Sequence, residues 1–235
     1  MKLKWPWFGR DKHPTIIANH RRLERFDQTK PIETYRFVSL DTELTGLDLR
    51  RDAIVSIGAV RIEGLQIITG NNFFSYVRPK RSMPKVSTLI HRITPDQIES
   101  APELRKVMPD FVDFVGNDLL VGHFIGLDMA FINRAARRLM GGRLRNPCLD
   151  SMKLAQVYEE RERGGHYDRV EVAAGYNLKT LSEKYHLPRF EQHDALGDAF
   201  QAACLFVFVV KKMQSFGCRT LRDLHTASRT SPGLF

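Results

Sequence analysis

Asp41-Thr42-Glu43 carries two carboxylates two residues apart, and on a continuous strand both project to the same face. Neighbouring carboxylates repel and raise each other's pKa unless a cation lies between them, so a divalent metal is the simplest physical reason for the pair. Two further acids stand at element junctions: Asp128 where an apolar stretch gives way to a helical pattern, and Asp198 in the first turn of the last long helix. His193 lies five residues before Asp198. If Asp194 caps that helix, His193 sits just before it on a loop, over a site that Asp198 helps to form, where an imidazole can take a proton from water near neutral pH. Two metals held by carboxylates about 3.5–4 Å apart cleave phosphodiesters, one activating water and the other stabilising the leaving oxygen. Oxygen-only ligands favour Mg²⁺ or Mn²⁺ over zinc. The candidate constellation is thus the four acids Asp41, Glu43, Asp128 and Asp198, with His193 as a candidate base.

These residues need a frame that brings distant segments together. Tyr35 to Leu40 alternates and is rich in β-formers, so a strand should deliver Asp41 and Glu43 at its C-terminal end. Ala53 to Ile62 reads as a second strand, Glu63-Gly64 as a tight turn and Gln66 to Val77 as a third strand, which makes an antiparallel meander. Thr94-Pro95 has the chemistry of a helix start, and Ala101 to Val115 reads as an amphipathic helix. Asn117 to Gly122 reads as a buried strand, and Leu127 to Met140 as a helix ended by Gly141-Gly142. Asp150 to Glu160, Asn177 to Tyr185 and Asp194 to Gln214 are helical, and Glu159 to Gly175 is expected to form a mobile loop. Strands followed by alternating strands and helices predict an α/β fold with a mixed sheet.

Composition agrees with an enzyme of this kind. The 235 residues are 43% hydrophobic and 27% charged, which excludes collagenous, disordered and disulfide-scaffold classes and is enough to bury a large core. Thirty-six Lys and Arg against 27 Asp and Glu give +9, which favours a polyanionic partner. Eight of the basic residues and three of the acidic ones fall within the first 30 residues, where Trp5, Trp7 and Phe8 could stack on bases, dock on a protein or pack on the domain. Cys148, Cys204 and Cys218 show no C-x-x-C spacing, so neither a disulfide framework nor a thiolate zinc site is expected. The longest apolar run, Ala199 to Val210, is 12 residues, below the ~18 needed to cross a bilayer, and no secretory signal is read at the start. A soluble, cytoplasmic protein with no membrane contact is expected.

Three ordered motifs give this chain a resemblance to a known family. Asp41-Thr-Glu-Leu-Thr-Gly-Leu47, Val121-Gly-His-Phe-Ile-Gly-Leu-Asp128 and His193-Asp-Ala-Leu-Gly-Asp-Ala199 resemble the motifs of the DEDDh 3′–5′ exonucleases, the group that includes the proofreading exonuclease subunit of bacterial DNA polymerase III and ribonuclease T. The linking segments Ile90-His91-Arg-Ile-Thr-Pro95, Cys148 to Ala155 and Tyr176 to Leu181 follow in the family's order. The resemblance covers about Tyr35 to Gln214 and implies a ribonuclease-H-like fold in which Asp41, Glu43, Asp128 and Asp198 bind two Mg²⁺ or Mn²⁺ ions, Asp41 is shared between them, and His193 is the general base. It also implies that Leu44 and Thr45 face the 3′-terminal nucleotide and that Leu47 packs on its bases, with His91 and Phe124 completing the substrate-binding set.

The chain departs from the family at Leu44 (usually Thr), Phe124 (usually Asn) and Leu127 (usually Phe), which bears on substrate choice and not on the metal ligands. The expected organisation is a basic N-terminal arm or extension over 1–34, an exonuclease domain over 35–216 and a C-terminal tail over 217–235. The expected activity is hydrolysis from single-stranded 3′ ends, DNA ahead of RNA, releasing nucleoside 5′-monophosphates in partnership with a DNA polymerase or another replication or repair protein. The alternatives are a ribonuclease trimming RNA 3′ ends and an inactive nucleic-acid or polymerase-binding module. Intact acids argue against the last, because clustered carboxylates without a metal cost stability.

Overall fold

A computed structural model describes residues 12–23, 26–80, 88–89, 92–163, 175–190 and 193–230. Alternating apolar residues build three long strands, β1 (Arg36–Leu44), β2 (Ile54–Glu63) and β3 (Gln66–Tyr76), joined as the antiparallel meander expected. Two shorter strands, β4 (Leu119–Gly122) and β5 (Cys148–Asp150), add in parallel beyond β1, giving the order β3-β2-β1-β4-β5. β1 is thus the central strand, antiparallel to one neighbour and parallel to the other. Its hydrogen bonding runs past Asp41 to Leu44, because β2 pairs with it along its whole length, Asp41 opposite Gly58 and Glu43 opposite Ser56. β5 is three residues long and was absent from the sequence reading, since a segment that short carries no period.

The two sheet faces have separate cores. On one, Phe37, Val60 and Ile62 pack beneath Leu205, Phe206 and Val209 of α7 (Ala195–Ser215), flanked by α5 (Ser151–Glu162), α6 (Leu178–Lys184) and α8 (Leu221–Thr230). On the other, Val38, Leu40, Ile57 and Ala59 pack on α3 (Leu104–Val115) and α4 (Gly126–Met140). A short α2 (Pro95–Glu99) opens with the Thr94–Gln97 capping box, as Thr-Pro before a Gln at the third position favours. α3 begins at Leu104 and not at Ala101, because the preceding segment is extended and bridges to β3's exit, where the Arg78 N–H donates to the Pro102 carbonyl at 2.9 Å. α4 stops at Gly141, whose φ of 73° closes the helix in the left-handed conformation.

Segments on either side of 35–216 pack onto this frame. α1 (Pro14–Arg22) buries Ile16 against the α3–α4 side, and its Asn19 amide donates to the Gly116 carbonyl at 2.9 Å and to Asn146 Oδ1 at 2.6 Å. α8 buries Leu221, Leu224 and Ala227 against the α5–α7 side. Trp5, Trp7 and Phe8, and most of the expected Glu159–Gly175 loop, lie outside the described residues; Glu159–Glu162 continue α5. Among the described residues, no helix is long and apolar enough to cross a membrane.

Candidate active site

Asp41 and Glu43 leave β1 on the face that α7 covers, at the end of the strand. α7 can reach them because β2 carries Gly58 opposite Asp41: a Cβ on Gly58 would overlap the backbone carbonyl of Ala195 in the first turn of the helix. Asp194 caps that turn, accepting the Gly197 N–H at 2.8 Å. Asp198, one turn in, accepts the backbone N–H of His193 at 2.9 Å. His193 has φ +61°, a conformation rare for residues other than glycine, so this hydrogen bond and the helix cap hold a strained turn that turns the imidazole outward. Glu43, His193 and Asp198 each offer a ligand atom within 4.8 Å of the others.

Asp128 approaches from the opposite side of the sheet, in the first turn of α4. Its carboxylate, 6% exposed, accepts the backbone N–H of Thr42 at 3.0 Å and the Thr42 hydroxyl at 2.6 Å. The residue between the two strand acids therefore fixes the third. All four carboxylates are held above their ordinary range. Loss of water around Asp41 and the negative charges of Asp128, Asp198, Glu43 and Asp194 push it well up. Burial, reinforced by Asp198, Asp194 and Asp128, lifts Glu43 to about 7. Burial lifts Asp128 to about 7 against the pull of its Thr42 hydrogen bonds, and burial lifts Asp198 against the His193 N–H. Four destabilised carboxylates facing one another, with the His193 imidazole beside two of them, fit divalent cations, which would offset both the repulsion and the desolvation penalty. All five residues expected to do chemistry are thus brought together.

The expected substrate contacts are placed less uniformly. Leu47 stands 75% exposed on the β1–β2 loop, so it is not a core leucine. Leu44 is half-buried against the α3–α4 core. Thr45 braces the loop: its N–H donates to the Ala53 carbonyl at 2.9 Å, and its hydroxyl donates to Asp52 at 2.9 Å while accepting the Ala53 N–H at 3.0 Å. Phe124 is 51% exposed at the β4–α4 junction with φ +58°, its ring edge-on to His123 at 5.3 Å. His91 lies outside the described residues.

Three supporting residues escaped the sequence reading as site components. Asp150 caps α5 through the Met152 N–H at 3.0 Å and accepts the Phe124 N–H at 3.2 Å, fixing the turn before Asp128. His123 is held between Ser151 Oγ at 3.1 Å and the Tyr176 carbonyl at 2.8 Å, and burial depresses its pKa. Gly58 had no local signal at all, because only the strand pairing reveals what it faces. For Asp150 the position before a helical run was a legible capping signal.

Comparison with known proteins bears on the family of the chain. A profile described as "Exonuclease" matches residues 38–206. The DNA polymerase III subunit epsilon of Aquifex aeolicus is 30% identical over 201 residues, 85% of this chain and 91% of that protein. The PolC-type DNA polymerase III of Thermotoga petrophila is 30% identical over 198 residues, but this chain spans only 14% of its length. Two solved structures share the fold: exonuclease X in complex with 5′ overhanging duplex DNA (24% identity, TM-score 0.57, 83% of this chain and 99% of that one), and Escherichia coli exonuclease I with a dT13 oligonucleotide (15% identity, TM-score 0.66, 78% and 42%).

Proposed function

This chain belongs to the exonuclease family, and we propose that it is a two-metal-dependent 3′–5′ exonuclease that releases nucleoside 5′-monophosphates from single-stranded ends, DNA ahead of RNA. The convergence of Glu43, His193 and Asp198 within 4.8 Å, beside Asp41 and Asp128, is the observation that carries the reading. Asp41, Glu43, Asp128 and Asp198 would hold two Mg²⁺ or Mn²⁺ ions. Bound there, the ions would polarise the scissile phosphate and offset charge developing on it.

The chain's own residues supply the rest. His193, on the open side of the site, takes a proton from the attacking water as the new P–O bond forms and the P–O3′ bond breaks, and the departing 3′-oxygen takes a proton from solvent to leave a 3′-hydroxyl on the shortened strand. The His193 N–H to Asp198 bond fixes the ring's position relative to that carboxylate. Thr42 keeps Asp128 aligned and favours its ionised form. Leu47, four residues after Glu43, and Phe124, four residues before Asp128, are both exposed and would offer apolar surfaces for the terminal bases. The names of the relatives, a polymerase subunit and a polymerase, support a DNA polymerase as the partner.

Digestion of matched single-stranded DNA and RNA, 5′-labelled, with Mg²⁺, Mn²⁺ or EDTA tests the reading. Stepwise shortening of DNA that EDTA stops and Asp198→Ala lacks is expected. Loss of RNA alone reassigns the substrate, and no shortening of either strand with any metal overturns the activity.

A further inference from the structure

A cavity beside the candidate active site has the opposite charge. It measures about 840 Å³ and opens between the β1–β2 loop, the segment leaving β3, the start of α3 and the outer face of α4. Thr45, two residues beyond Glu43, forms part of its wall. The loop contributes Arg50 and Arg51, the β3 exit Arg78 and Lys80, and α4 contributes Arg134 and Arg138, one helical turn apart. Arg105 of α3 brings the cations to seven, against the two carboxylates of Asp52 and Glu103.

Both carboxylates are already engaged. Asp52 accepts the Thr45 hydroxyl at 2.9 Å and the Asp48 N–H at 2.8 Å. Glu103 lies between Arg78 at 3.7 Å and Arg105 at 3.0 Å. Arg134 donates to the Asp52 carbonyl at 2.5 Å and lies against the Phe131 ring, 5.1 Å from its centroid. Burial and the nearby Arg138 cation depress the pKa of Arg134, against the pull of the Asp52 and Asp48 carboxylates.

We propose that this pocket is a nucleic-acid docking site, separate from the catalytic carboxylates, that takes the phosphodiester backbone of the bound polynucleotide a few nucleotides from the scissile bond. Charge complementarity identifies the occupant: a polyanion with regularly spaced phosphates matches cations presented by four separate segments, and arginine forks suit phosphate oxygens. Placement gives the register. Arg134 and Arg138 follow Asp128 on the same helix by six and ten residues, roughly 9 and 15 Å at the rise of an α-helix. A strand whose end lies at Asp128 therefore passes these cations within a few nucleotides. The apolar walls, Phe131, Leu139 and Val77 among them, leave room for sugars and bases. The proposal rests on the reading of the chain as a nuclease and deepens it by assigning how the body of the polymer is held.

Its test is equilibrium binding in EDTA, which removes hydrolysis from the readout. Fluorescence anisotropy with a labelled DNA strand of about 20 nucleotides, longer than most single-strand sites, is measured from low to high salt. Arg50→Gln/Arg138→Gln is compared with Lys211→Gln/Lys212→Gln, which removes the same charge from the far end of α7. Arg50 and Arg138 are exposed, so the fold should survive, and thermal melts check this. The pocket variant is expected to lower the slope of log K against log salt by about 1.4, two single-strand phosphate contacts at ~0.7 each, with the control close to wild type. Single Arg138→Gln should give about half that change. An unmoved slope, or an equal change in pocket variant and control, overturns the pocket assignment and leaves the hydrolytic reading standing. Absence of digestion by the wild-type protein overturns hydrolysis and leaves the binding result intact. A change on duplex DNA of that length alone, with the single-strand slope unmoved, overturns the assignment as well.

Discussion

Asp128 and Thr42 are joined twice, the carboxylate accepting both the backbone N–H and the hydroxyl of the residue that separates the two strand acids, at 3.0 and 2.6 Å. This pair links the two halves of the site, since Asp128 belongs to a helix on one sheet face while Asp41 and Glu43 point to the other. Hydrogen bonds to charged groups contribute about 1.5–3 kcal/mol, enough to decide whether a buried carboxylate is ionised near neutral pH.

Thr42→Val should therefore raise Asp128 further and weaken divalent-ion binding by roughly tenfold, in line with losing one such bond. Thr42→Ser should recover most of the loss. Titrating Mn²⁺ by calorimetry reads the effect independently of turnover, and equal affinities for the Val variant and wild type would remove Thr42 from the site.

Gly58→Ala places a methyl group where the Ala195 carbonyl stands, so α7 must shift or the strand must bend. Overpacking of this kind costs about 1–3 kcal/mol. The expected outcome is a lower urea midpoint together with loss of metal affinity beyond what the stability change explains, because Asp198 and His193 move with the helix. A variant as stable and as tight for Mn²⁺ as the wild type would show that the helix is not positioned by this contact.

Glu43 and Asp128 stand at about 7 without a metal, above the usual carboxylate range of the unfolded chain. A raised acid binds its proton more tightly in the fold, so the metal-free protein loses stability as pH rises from the unfolded values near 4 to about 7. In EDTA the melting temperature should fall from pH 5 to pH 8, and saturating Mg²⁺ should raise it at pH 8 far more than at pH 5. Parallel curves with and without Mg²⁺ would separate these acids from metal binding.

Phe124 keeps a φ of +58° that a bulky residue adopts only at a cost of about 1–3 kcal/mol. Asn tolerates that conformation better, so Phe124→Asn should hold or raise the melting temperature. If the exposed ring stacks on a base, the same variant should raise KM for single strands by roughly tenfold or more, since a base–aromatic stack contributes about 1–3 kcal/mol, and leave kcat little changed. A stable variant with unchanged KM would make the ring a bystander.

Much of this molecule was legible along the chain. The alternation of Tyr35 to Leu40 placed β1, the Asp194 cap and apolar run placed α7, and residue types at their termini marked Asp41, Glu43, Asp128, His193 and Asp198, because caps and periodicity are local properties. Tertiary structure decided what those residues do to one another. Gly58 matters only through its pairing with Asp41, and Thr42 only because α4 docks its first turn against β1. Trp5, Trp7 and Phe8 drew notice as a basic aromatic cluster at the chain's start, yet seven cations scattered from Arg50 to Arg138 form the pocket, and no window of sequence shows them as neighbours. Strand register and helix docking set distances between segments some 90 residues apart, and those distances decide whether like charges disperse into solvent or meet around one small space.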